Sequence, residues 1–265
     1  EQGTKPRIMA AKVYDIEPKN IVAGNGSDEL ISLICSGFLE PNDNVLVTKP
    51  DFSMYEFYSK LAGAELIRYE KDDYYDIDFN NLAKLANDNR SKIIIFSNPC
   101  NPTGNLFKRS EIEKLIKSVD ALVVVDEAYM DFAEINQSLF QAVNDYENLI
   151  ILKTLSKAYA SAAFRIGFAI ANENLIKAIR KIKSPYNLNS ISQLYGTILL
   201  KNQSEIENNI SFIKYNTQYL YEKLVNIESS SITNVYPTSA NFVYIKLSSP
   251  DEAKRISGYL KENGI

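Results

Sequence analysis

The chain has 265 residues, 45% of them hydrophobic and 23% charged, an ordinary composition for one large or two modest globular domains. A formal charge of −4 and a pI near 5.2, with no basic cluster interleaved with aromatics, argue against a nucleic-acid surface. The longest apolar runs, Ile93 to Phe96 and Ala121 to Val125, are far too short to span a membrane, and the absence of histidine removes Ser-His-Asp, Cys-His and HExxH chemistry together.

Cys35 and Cys100 are too few for a disulfide framework and, without histidine, do not make a zinc site; no metal is expected. Cysteine usage fits a reducing, cytoplasmic setting, and no signal peptide opens the chain. Glu1 is not an initiator and Ile265 has the look of a strand's first residue, so both ends are expected to be incomplete.

In chain order, NIVAG (20–24) reads as a strand leading into SDELISLICSGFL, a helix lined by Leu30, Ile31, Leu33, Ile34 and Phe38 and capped by Ser27 or Asp28. NVLVTKP (44–50), ELIRY (65–69) and KIIIFSNP (92–99) read as further strands. SEIEKLIKSV is a helix with a capping box, Ser110 at the cap and Glu113 three residues on. ALVVVDEAY is a β-branched run of the kind buried on both faces of a parallel sheet, and NLIIL (148–152) and RIGFAIA (165–171) are strands flanking a loop that carries Lys157.

From Ser190 the pattern turns to long helices, with Ile206, Ile210, Ile213, Leu220, Leu224 and Ile227 as a stripe and QSEIENN as a surface helix start. ITNVYPTSANFVYIKL reads as two strands around a Pro-containing turn, and PDEAKRISGYLKENG as a helix ending at Gly264. The expected fold is α/β: a three-layer α/β/α large domain over residues 1–200 with a mostly parallel sheet, then residues 201–265 as a linking helix and the start of a smaller, incomplete α+β domain.

Four segments follow strands or open helices: GNGSDE (24–29), NPCNPTGN (98–105), DEAY (126–129) and KTLSKAYASAAFR (153–165). Ligands of open α/β sheets bind outside the carboxyl ends of the strands, so the four could share one site. Singly, each has a bland reading: a turn with a helix cap, a rigid proline turn, a capping carboxylate, a solvated lysine beside a structural arginine. GNGSDE is not the GxGxxG fingerprint, since Glu29 occupies its last position; a phosphate is a better fit than a dinucleotide. With histidine absent, Lys157 is the leading candidate for covalent chemistry. Jointly, a lysine that forms an imine, a carboxylate for a ring nitrogen, a phenol and an amide for a ring oxygen, and a Ser/Thr/Arg phosphate cup describe pyridoxal 5'-phosphate.

NPCNPTG, DEAYMDF and TLSKAYASAAFRIGFAIAN, in this order and spacing, resemble fold-type-I pyridoxal-phosphate aminotransferases; GNGSDELI, SPYNLNS and SANF also resemble the histidinol-phosphate aminotransferase group. The likeness runs from about Asn20 to Ile265. It implies that Lys157 carries the cofactor as a Schiff base and moves the proton at the substrate, that Asp126 keeps the pyridine nitrogen protonated, and that Tyr129 and Asn101 bond the ring hydroxyl. It further implies a phosphate site of Ser27, Asp28, Thr154, Ser156 and Arg165, with Phe52 stacked on the ring where many relatives have tyrosine.

The resemblance also implies a homodimer with a shared active site, an amino donor such as L-histidinol phosphate or glutamate, and a 2-oxo acid acceptor. The family's N-terminal tyrosine and C-terminal substrate-carboxylate arginines fall outside the regions seen here. Threonine-phosphate decarboxylases, aromatic or neutral amino acid aminotransferases, and a non-catalytic cofactor-binding relative share these motifs and stay open. A nucleotide-binding Rossmann protein would explain only GNGSDE.

Overall fold

The computed structural model describes residues 3–135 and 137–265. Their large sheet has seven strands: β1 (Ile21–Asn25), β2 (Asn44–Lys49), β3 (Glu65–Glu70), β4 (Ile93–Ser97), β5 (Leu122–Asp126), β6 (Leu149–Thr154) and β7 (Ile166–Ala171). Its spatial order is β1-β7-β6-β5-β4-β2-β3. Strands β2 to β6 pair in parallel, while β7 runs antiparallel to both β6 and β1. The strand beginnings and ends read from the apolar runs therefore hold to within a few residues.

A central strand covered on both faces must be apolar at every position, and successive side chains must alternate between two layers. Ile93, Ile95 and Val124 belong to one core, whereas Ile94, Phe96, Val123 and Val125 belong to the other. The first core is covered by α2 (Gly26–Phe38), α3 (Met54–Leu61) and α6 (Glu173–Ile182) through Leu30, Ile34, Tyr55, Ile176 and Ile179. The second is covered by α1 (Thr4–Val13), α4 (Phe79–Asp88), α5 (Arg109–Ser118) and α7 (Ser190–Lys201) through Ala10, Leu82, Ile112, Leu115 and Leu200. This is the three-layer α/β/α arrangement, and each fully buried Leu or Ile in it contributes roughly 1.5–3 kcal/mol against exposure.

After α8 (Gln203–Val225), β8 (Ile232–Val235) and β9 (Ile245–Leu247) form an antiparallel pair, followed by α9 (Pro250–Glu262). Ser249 caps α9 by accepting the Glu252 amide, and Gly264 lies beyond the helix end with φ 74°.

Three local readings are corrected. The cap of α5 is Lys108, not Ser110, because Arg109 already lies in the helix; Glu113 pairs instead with Arg109 Nε at 2.9 Å. The cap position of α2 is Asn25, and Ser27 and Asp28 lie inside its first turn, which has no side-chain cap. Of the α8 stripe, Ile206 is buried and Ile210 and Ile213 pack on the core, but Leu220 is exposed and Ile227 is exposed past the helix end.

Candidate active site

The loops after β1, β2, β4, β5 and β6 all emerge at one edge of the sheet, because those strands point the same way. Strand β7 enters from that edge, so Arg165, immediately before it, arrives at the same place. One cleft of about 520 Å³, its open mouth included, is lined by Ser27, Asp28, Phe52, Asn101, Asp126, Tyr129, Thr154, Ser156, Lys157 and Arg165. Every site residue read from the sequence is therefore brought together. Tyr55, Ser97 and Ala128 complete the lining.

Asp126 ends β5 and is shut away from solvent. Its Oδ2 accepts the Tyr55 hydroxyl at 2.9 Å and its Oδ1 the Ala128 amide at 3.0 Å, so it is a turn acceptor as well as a cleft carboxylate. Burial is the main cause that raises it to about 6, opposed by those two hydrogen bonds and reinforced by the charges of Asp51 and Asp28. Both partners are neutral. A buried carboxylate with only neutral donors is suited to a cationic partner from a bound group.

Elsewhere in the cleft a guanidinium meets the start of a helix. Glycine is favoured at position 26, where φ is 78° and a Cβ would lie 2.5 Å from Arg165 Nη2. The guanidinium thus lies across the first turn of α2, whose leading amides have no intrahelical acceptor and carry the positive end of the helix dipole. Gly167 permits the approach: a Cβ there would fall 2.6 Å from the Ser27 nitrogen and the Gly26 carbonyl carbon. Arg165 Nη2 donates to Asp28 Oδ2 at 2.7 Å, and Ser156 N donates to Thr154 Oγ1 at 3.1 Å. Amides, hydroxyls and a guanidinium form a donor set for a phosphate. As a carboxylate Asp28 only accepts, so its contribution there is its amide and the guanidinium it orients.

In the same cleft, Lys157 Nζ stands 5.2 Å from the centre of the Tyr129 ring, and its side chain is exposed there. Phe242, from the segment between β8 and β9, packs edge-on against Tyr129 at 5.2 Å, and Ser239 N donates to Gly104 O at 2.9 Å. The PTSANF segment thereby closes onto the NPTG loop. Strand alternation sends the neighbours of Asp126 and Thr154 to the opposite layer. There Glu127 is buried and raised to about 7, by burial first and against the nearby charge of Lys153, which itself pairs with Asp131 at 3.2 Å.

Tyr55 and Ser97 were not among the expected site residues. Tyr55 lies in the first turn of α3 and its ring packs edge-on against Phe52, just before that helix, at 5.5 Å. Its partner Asp126 lies 71 residues away, which local pattern does not reveal.

Fold and site together define a fold-type-I pyridoxal-phosphate enzyme: a buried carboxylate, a lysine, a phenol and a guanidinium gathered in one cleft of a mostly parallel sheet. Residues 8–265 match the family model described as aminotransferase class I and II, and the chain belongs to that family. It is 41% identical over 243 residues to a histidinol-phosphate aminotransferase of Clostridium novyi (strain NT), covering 92% of this chain and 67% of the relative. The crystal structure of histidinol-phosphate aminotransferase from Sinorhizobium meliloti in complex with pyridoxal-5'-phosphate shares the fold with a TM-score of 0.91 at 20% identity, over 100% of this chain and 73% of that one. L-Threonine-O-3-phosphate decarboxylase from Porphyromonas gingivalis shares it with a TM-score of 0.82 at 23% identity, over 98% and 76%. Fold alone does not separate transamination from decarboxylation. Family membership makes the chain a pyridoxal-phosphate-dependent transaminase.

Proposed function

We propose that the chain transfers the amino group of L-histidinol phosphate to 2-oxoglutarate, reversibly, with glutamate as the donor in the other direction. The observation that carries this reading is the cleft that gathers Lys157, Asp126, Tyr129 and Arg165, in a chain so similar to a histidinol-phosphate aminotransferase. When bound, pyridoxal phosphate supplies an aldehyde that condenses with amines and a ring that draws electrons from the neighbouring carbon.

Lys157 Nζ anchors that aldehyde and, once released, holds and moves the proton at the substrate Cα. Asp126, ionised beside the cation it lacks in the chain alone, keeps the ring nitrogen protonated. Tyr129 and Asn101 would donate to the ring oxygen, and Phe52 would supply an apolar face for the ring. Ser27, Thr154, Ser156, Arg165 and the Asp28 amide hold the phosphate.

The same proposal includes a cofactor-binding domain over residues 1–200, a homodimer and a cytoplasmic location. The outward side of α7 supports the dimer, since Ile191, Leu194 and Ile198 are exposed at helical spacing and Tyr195 stacks on Phe164 beside Arg165 at 3.7 Å. Two free cysteines suit a reducing compartment, and no helix among the described residues is long and apolar enough to cross a membrane.

The deciding experiment mixes the purified, cofactor-loaded protein with L-histidinol phosphate and 2-oxoglutarate and follows glutamate. Formation of glutamate supports the reading. Carbon dioxide release from threonine phosphate, without glutamate, would replace it with the decarboxylase, and a preference for aromatic or neutral amino acids would move the substrate alone.

A further inference from the structure

Behind the cleft wall lies an ion pair that the chemistry described so far does not use. The Lys71 and Asp51 side chains are 0% and 2% exposed, with Lys71 Nζ 3.3 Å from Asp51 Oδ2. The ammonium has three protons, and the structure offers three acceptors: Asp51, the Pro50 carbonyl at 2.9 Å and Cys100 Sγ at 2.9 Å. Buried carboxylates are rarely so well supplied. Asp51 Oδ2 accepts the Thr48 hydroxyl at 2.7 Å and the Ser97 amide at 3.3 Å, while Oδ1 accepts the Phe52 amide at 2.8 Å and the Ser97 hydroxyl.

The direction of these bonds matters. An ionised carboxylate only accepts, so the Ser97 hydroxyl proton must point at Asp51. The lone pairs of Ser97 Oγ are then free, and one accepts the Asn101 amide at 2.9 Å. Asp51 thus fixes Phe52 directly and Asn101 through Ser97. Those two residues come from the loops after β2 and β4, and both line the cleft.

We propose that Asp51, paired with Lys71, is a positioning residue that sets the place of Phe52 relative to Asn101 and so the seat of the cofactor ring; this rests on the reading that pyridoxal phosphate binds in the cleft. A neutral amide at position 51 can donate as well as accept, which releases the orientation of the Ser97 hydroxyl and with it the Asn101 amide.

The test uses the double substitution Asp51→Asn with Lys71→Met, which removes both charges and leaves no buried charge unpaired. In the apoprotein, hydrogen exchange at the Phe52 and Asn101 amides is expected to quicken together while the melting temperature stays near that of the parent. With cofactor, the variant is expected to bind roughly tenfold or more weakly and to show altered visible circular dichroism of the bound group. Parent-like exchange, affinity and dichroism would reduce the pair to a structural one. If the double variant does not fold, Ser97→Ala decides: exchange should quicken at Asn101 and not at Phe52, and unchanged exchange at Asn101 overturns the proposal. A parent protein that takes up no pyridoxal phosphate would instead sink the cofactor reading, whatever the exchange shows.

Discussion

The Tyr55 hydroxyl lies 2.9 Å from Asp126 Oδ2, and both side chains are buried. Burial, then the charge of Asp126, pushes the phenol well above its ordinary range, so Tyr55 remains a donor at any working pH. The bond lowers the cost of an ionised Asp126 in a dry site. Replacing Tyr55 by Phe keeps the ring and deletes the donor. A hydrogen bond to a charged group is worth about 1.5–3 kcal/mol, so turnover is expected to fall roughly ten- to a hundredfold with little loss of folding. Steady-state kinetics of Tyr55→Phe would show this; parent rates would mean that Asp126 needs no such support.

Asp126→Asn should still load pyridoxal phosphate through Lys157 and the phosphate cup, but lose about two orders of magnitude or more in rate, because an amide cannot balance a cationic ring nitrogen. Absorbance of the bound cofactor and single-turnover rates measure the two effects separately. An undiminished rate would remove the ring nitrogen from the mechanism.

The same substitution tests the electrostatics of the apoprotein. Asp126 at about 6 and Glu127 at about 7 both stand above their ordinary values of 3.8 and 4.5. Through that window the folded chain binds more protons than the unfolded one, so each carboxyl destabilises the apoprotein increasingly as pH rises. The melting-temperature advantage of apo Asp126→Asn over the parent should therefore be small near about pH 4.5 and grow towards about pH 7.5. An advantage that shrinks with rising pH would show that Asp126 is not raised by burial.

Lys157→Ala is expected to fold, since the side chain is exposed to the cleft, yet to lose several orders of magnitude in turnover. Borohydride reduction followed by peptide mapping should place the pyridoxyl group on Lys157 in the parent and nowhere in the variant. Labelling of another lysine would reassign the site.

Gly26→Ala puts a side chain on a left-handed backbone, which costs about 1–2 kcal/mol, and drives its Cβ towards Arg165 Nη2. The guanidinium is the part that can move, so it should leave the first turn of α2. Calorimetry is expected to report a lower melting temperature, and titration a weaker grip on pyridoxal phosphate. Retained affinity would mean that the Arg165 position over Gly26 is not needed for the phosphate.

Much of this molecule is legible along the chain because its signals are local. A short, β-branched apolar run such as Ile93 to Phe96, bounded by turn residues, is suited to a strand covered on both faces, so strand and burial are read together. The absence of histidine, with a lysine in a small-residue loop between two such strands, singles out Lys157 without reference to any fold. All ten expected site residues do line one cleft.

Helix starts were less legible. Ser110 and Ser27 have the right chemistry for caps, but backbone geometry, not residue type, decides where the first turn begins, and Lys108 and Asn25 occupy those places.

What order of residues cannot convey is which strands become neighbours and from which edge each loop returns. Asp28 and Arg165 are 137 positions apart and meet because β7 turns antiparallel between β1 and β6. Asp51 and Lys71 meet across the edge pair β2–β3, and Tyr55, on α3, reaches across to Asp126 at the end of β5. Spacing along the backbone dictates periodicity and hence the elements; contacts between distant elements depend on sheet order, which is a property of the packed whole.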